Sequence, residues 1–166
     1  ITNIAPYNGS IQMHDVESGA LATQNSQGIW VVDEDQAIEL HGSVEDSPND
    51  LPTMRWEWQP DSQEDPSWFE TTEGPNSVVP VSWSTKDAHV IVMQVFDDDD
   101  ETTGTITAYV MVMNVAPTIA PFEEPLPLWE DAPTLFTAEF SDTASDIESL
   151  VTCWDLDPFI NLDQEG

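Results

Sequence analysis

Ala88-His89-Val90-Ile91-Val92-Met93-Gln94-Val95-Phe96 runs into Asp97-Asp98-Asp99-Asp100-Glu101, and a second long apolar run follows from Thr105 to Val115. Two strand-like segments therefore flank an acidic turn. In the first, His89, Ile91, Met93 and Val95 share one parity and fall on one face. Alternation with period two marks half-buried strands with one face on a core. The same signature recurs upstream. Ala37-Ile38-Glu39-Leu40-His41 alternates, and Val79-Pro80-Val81-Ser82-Trp83 repeats the pattern. Met54, Trp56 and Trp58 take one face of a strand whose other face carries Arg55 and Glu57. Helix signals are nearly absent, and thirteen Pro punctuate the chain. Many short strands between turn residues predict an all-β, immunoglobulin-like β-sandwich rather than a parallel sheet.

An internal repeat organises the 166 residues. Asn3-Ile4-Ala5-Pro6 recurs as Asn114-Val115-Ala116-Pro117. Glu34 and Asp35 recur as Glu130 and Asp131, and Asp46 and Asp50 as Asp142 and Asp146. After a two-residue insertion, Trp56-Glu57 matches Trp154-Asp155. The expected division is 1–114 as one complete sandwich and 115–166 as the first half of a second. Fifty residues without partner strands are marginal as a fold, so the chain is expected to continue beyond Gly166 as part of a longer array.

Composition restricts the function. Two basic residues, Arg55 and Lys86, face 33 acidic ones, for a formal net charge of -31. A polyanion repels phosphate backbones and anionic lipid, which excludes nucleic acid as a partner and disfavours membrane surfaces. No apolar run approaches a membrane span, so direct insertion is not expected either. Self-repulsion destabilises a compact state unless cations screen or bind it. High salt or the millimolar calcium used by extracellular modules would do so. A single cysteine, Cys153, allows no intrachain disulfide, and it reads as a buried small hydrophobe beside Trp154. A salt-adapted or marine microbe, an archaeon included, fits the acidity.

In order and spacing these motifs resemble the polycystic-kidney-disease-type (PKD) domain. The Asn-x-x-Pro opening stands at Asn3 to Pro6, the Ser-x-Asp element at Ser43-Val44-Glu45-Asp46, and the Trp-Asp-Phe-like strand at Trp56-Glu57-Trp58 and Trp154-Asp155-Leu156. The late strand is Asp87 to Asp97, with the closing strand from Thr105 to Asn114. The chain departs from the pattern at Gln59-Pro60-Asp61, at Asp87 and His89, and in a longer opening over residues 9–32. A cadherin-like or fibronectin-like sandwich is the alternative. The resemblance implies protein–protein or protein–carbohydrate contact outside the cell.

Three acidic segments are candidate calcium ligands. Asp155, Asp157, Asn161, Asp163 and Glu165, closed by Gly166, match the first half of a calcium loop, in which alternate oxygens converge on a hard cation. Asp97, Asp98, Asp99, Asp100 and Glu101 crowd one turn, where a bound cation or exposure to salt would relieve their repulsion. Asp46 and Asp50 share a loop at one end of the sandwich. No catalytic constellation is visible: His14, His41 and His89 are far apart in sequence, and no GxSxG, phosphate loop or CxxC occurs. His89 reads as a buried, satisfied core histidine. Trp56, Trp58 and Trp154 read as core; for Trp30, Trp68, Trp83 and Trp129 the core is again the leading reading, with partial exposure to a glycan or partner as the lesser alternative, since Trp is common at interfaces but commoner in cores. The expected role is a non-catalytic, cation-stabilised structural or adhesive module at the cell surface or outside it. Its partners would be neighbouring repeats of the same chain, other surface proteins or glycans, or further copies in an oligomer or filament. The alternative is an accessory module of a secreted protease or polysaccharide hydrolase.

Overall fold

A computed structural model describes residues 4–71, 74–120 and 136–154. The chain divides into two compact units, Ile1–Ala116 and Pro117–Gly166. Among the described residues the first holds nine strands: β1 (Tyr7–Asp15), β2 (Thr23–Gln24), β3 (Trp30–Asp33), β4 (Ile38–Glu45), β5 (Arg55–Gln59), β6 (Phe69–Glu70), β7 (Asn76–Val81), β8 (Ala88–Phe96) and β9 (Ile106–Met113). They form a three-stranded sheet, β1-β4-β7, and a six-stranded sheet, β2-β3-β9-β8-β5-β6. Pairing is antiparallel except between β3 and β9, which run parallel. One core joins the inward faces: Met13, Ile38, Leu40 and Val79 from the smaller sheet, and Trp56, Trp58, Ile91, Met93, Val95, Val110 and Val112 from the larger. This is the immunoglobulin-like sandwich expected from the alternation.

The long opening, residues 9–32, carries most of β1, all of β2 and the start of β3. Because β3 pairs with β9 inside the large sheet, Trp30 points inward and is buried, the core reading rather than the exposed alternative. Trp83 is buried too, at 7%. Its parity with Val79 and Val81 carries it to the core side, where it stacks on the His89 ring at 5.5 Å between centroids. Trp68 is exposed, the lesser of its two readings, and Trp129 lies outside the described residues.

The chain enters and leaves the first unit at opposite ends. Tyr7 pairs with Glu45, the last residue of β4, while Asp15 pairs with Ile38, its first. The exit lies beside the β3–β4 turn at that second end, where Glu34 N donates to Met113 O (2.9 Å) and Asp35 N to Trp83 O (2.8 Å). The eight residues of β4 separate entry from exit by ~25 Å at about 3.3 Å per residue.

In the second unit, β10 (Thr118–Ile119) and β11 (Phe140–Ser141) pair, with Thr118 opposite Ser141. The repeat explains this register. The spacing from Asn3 to Asn114 carries Tyr7 onto Thr118, and the spacing from Asp46 to Asp142 carries Glu45 onto Ser141. Tyr7 and Glu45 are the first pair of β1 with β4. Two side-chain bonds of the following turn repeat as well. Ser47 N donates to Asp46 Oδ1 (2.6 Å) as Thr143 N does to Asp142 Oδ1 (2.9 Å). Thr53 Oγ1 donates to Asp50 O as Ser149 Oγ does to Asp146 O, each at 2.9 Å.

The second unit corrects two expectations. Trp154 is 48% exposed and Cys153 is exposed, rather than buried together. In the first unit two facing sheets close over Trp56. Among the described residues of the second unit only β10 and β11 are strands, and nothing fills that role. Phe136, Phe140, Leu150 and Trp154 line an open apolar groove instead.

Candidate functional site

The acidic loops collect at the entry end of the first unit. Arg55, which opens β5, pairs with Phe96, which closes β8. The Asp46–Thr53 connection therefore arrives at the same end as the turn from Asp97 to Glu101. Those five carboxylates do not converge. Asp97 is 3% exposed, and its Oδ1 accepts from Asp99 N (3.0 Å) and Glu101 N (2.8 Å), so it closes the turn on itself. Asp at the head of a turn does this by binding amides two or more residues on. Asp100 Oδ1 lies 3.2 Å from Arg55 Nη2, and Arg55 also bonds Glu57 and lies 4.2 Å over the Phe96 ring. Asp98, Asp99 and Glu101 face solvent.

Asp46 and Asp50 are brought together through Ser47, whose amide binds Asp46 and whose hydroxyl binds Asp50 Oδ2 at 2.8 Å. Asp46 Oδ2 is buried without a hydrogen-bond partner. A desolvated carboxylate oxygen of this kind is costly unless a donor or cation reaches it. Asp155, Asp157, Asn161, Asp163 and Glu165 lie outside the described residues. Among the described residues no three His, Cys, Asp or Glu side chains are already arranged around one ion.

The exit end carries a different device. Glu34 is 4% exposed, and its Oε1 accepts the Val115 amide at 2.8 Å. A buried carboxylate thus ties the departing linker to the β3–β4 turn. Glu34→Ala is expected to cost about 1–3 kcal/mol, the penalty for stranding a partly buried N–H, and to expose the Val115 amide to hydrogen exchange. Glu34→Gln keeps an acceptor and should keep the protection. Equal Val115 exchange in all three proteins would refute the clamp. Glu130, the counterpart of Glu34, lies outside the described residues.

The fold also gathers histidines that are remote in sequence. His89 is 3% exposed, and its Nδ1 lies 2.7 Å from Asp61 Oδ2. Its Nε2 is buried without a partner, so it is not the satisfied histidine that sequence implied. A cavity of about 290 Å³ beside it is lined by Asp61, Glu64, Ser82, Ser84 and Thr85. On the outer face of the small sheet, the His14 and His41 rings lie 4.3 Å apart. Nearby, the Asp15 carboxyl is held down to about 2 by the Ser18 hydroxyl, then by the Gln36 amide and the Ser18 N–H. No helix among the described residues is long and apolar enough to cross a membrane.

No family model matches the chain, and neither does any curated protein. Among solved structures the chain is similar to the PKD domain of an M14-like peptidase from Thermoplasmatales archaeon SCGC AB-540-F20, at 12% identity over 67% of this chain and 98% of that one, with a TM-score of 0.47.

Proposed function

We propose that this chain is a non-catalytic structural and adhesive module of an extracellular tandem array, with cations held at its acidic loops. The opposite placement of entry and exit in the first unit carries this reading. A sandwich entered at Tyr7 and left at Met113 extends an array lengthwise, and a Glu34-anchored linker followed by Pro117 limits the swing at the joint. The acidic loops lie at the entry end, where a preceding module would meet them. Calcium there would offset the repulsion within a chain of net charge -31.

Calorimetric unfolding of the chain tests the cation. It would be run in calcium, in chelator, and in chelator plus molar sodium chloride. At a free calcium level about five times the dissociation constant, linkage adds about 1 kcal/mol. For a unit of this size that raises Tm by roughly 4 °C. The expected result is such a rise with calcium at fixed ionic strength. Equal rescue by sodium chloride leaves only screening, and no response to either ion removes the cation from the reading.

A further inference from the structure

Two of the three histidines in this chain meet on one exposed face, although β1 and β4 carry them 27 positions apart in number. We propose that His14 Nε2 and His41 Nδ1 bind one divalent transition-metal ion of the zinc, nickel or copper class, with water completing its coordination and Glu39 as a positioning residue.

The hydrogen bonds decide which nitrogens are available. His41 Nε2 lies 3.1 Å from Glu39 Oε2. A carboxylate only accepts, so that nitrogen carries the proton and Nδ1 keeps a lone pair. His14 Nδ1 lies 3.4 Å from the Gly19 carbonyl, a long contact of the same sense, which leaves Nε2 as its lone pair. Metal-binding histidines characteristically donate their other N–H to a carboxylate or a backbone carbonyl, which fixes tautomer and ring orientation. Here one ring has each kind of partner. The rings are already in contact and both side chains are partly exposed, and the site requires that each ring tilt onto a shared ion while keeping its outer contact to Glu39 or Gly19.

Imidazole donors select a borderline transition ion over calcium, which prefers six to eight oxygens. The net charge of -31 raises the local concentration of any cation. Such an ion would link β1, an edge strand, to β4 at its centre. The other histidine offers less: His89 Nε2 is buried and its Nδ1 is held by Asp61.

The test is zinc titration of the full chain by calorimetry, in about 1 M sodium chloride with excess calcium, where a Debye length of ~3 Å suppresses adsorption on carboxylates. Long-range proton–nitrogen spectra of the imidazole rings would be recorded alongside. One equivalent of zinc is expected to move the ring nitrogens of His14 and His41 together and leave those of His89 in place. His14→Gln and His41→Gln should each weaken binding by more than ~10-fold, since loss of an outer partner alone costs about 10–100-fold. Glu39→Gln should weaken it by ~10-fold or more and change the His41 tautomer signature, which a merely structural role would not do. These side chains are outside the core, so the variants should fold. Zinc uptake indifferent to both histidine changes, or a response at His89 alone, overturns the proposal.

Discussion

Trp56→Ala is expected to remove about 3–5 kcal/mol from the first unit, the range for emptying a buried aromatic site. Trp56 is fully buried on the inward face of β5, in the core between the two sheets and against the β4 backbone at Gly42. Its Nε1 donates to Gly74 O at 2.7 Å, and that bond goes with the ring. A net stability of about 5–15 kcal/mol is usual for a domain, so this one site accounts for a large share. With a urea slope of roughly 1–3 kcal/mol per molar, the unfolding midpoint should fall by ~2 M in circular dichroism. Trp56→Phe keeps most of the packed surface and should lose much less. A midpoint shift under ~0.5 M for the alanine variant would mean the two sheets do not close on Trp56.

The strand pattern was legible because the alternation is long and clean. Ala88–Phe96 is one strand in both readings, and Met54, Trp56 and Trp58 face the core together. The repeat was legible in finer detail. Two separately read spacings, one at the linker and one at the acidic turn, converge on the observed pairing of Thr118 with Ser141. Isolated tryptophans were harder, because exposure depends on which strand sits beside them. Trp30 is inward only because β3 docks in parallel on β9, a contact between residues about 80 positions apart. For Trp83 a usable signal was present, since it closes the parity of Val79 and Val81.

The sites divide along the same line. A run of five acids reads as one patch, yet turn geometry sends Asp97 inward to its own amides and leaves the others outside. His14 and His41 carry no spacing motif, because only the β1–β4 register juxtaposes them. His89 and Asp61 meet because the chain beyond β5 keeps following β8, with Ser62 N and Oγ both 2.9 Å from Val90 O. Cross-strand chemistry of this kind is invisible until register is known.

Gly42→Ala is the second large effect, at the position that looks least demanding. Gly42 lies on β4 in step with Ile38 and Leu40, so it faces the core, and it is buried. A Cβ there would sit 2.7 Å from Met93 Sδ, Trp56 Cζ3 and Trp58 Cζ2 at once. In an extended strand, replacing Gly by Ala ordinarily gains about 0.4–1 kcal/mol through the unfolded chain. Here overpacking against two wedged indoles opposes that gain, at about 1–3 kcal/mol or more. Met93 can bend away, but neither tryptophan can without losing the hydrogen bond from its Nε1, to Gly74 O or to Ser77 Oγ. The methyl is therefore expected to cost more than it gains, and Gly42→Val to leave the first unit unfolded. Trp58→Phe removes one of the three contacts, so in a double-mutant cycle it should cost less in the Gly42→Ala background than alone, a coupling of about 0.5–3 kcal/mol. Strict additivity, or an alanine variant as stable as the parent, would show that β4 does not press its backbone onto the indoles of β5.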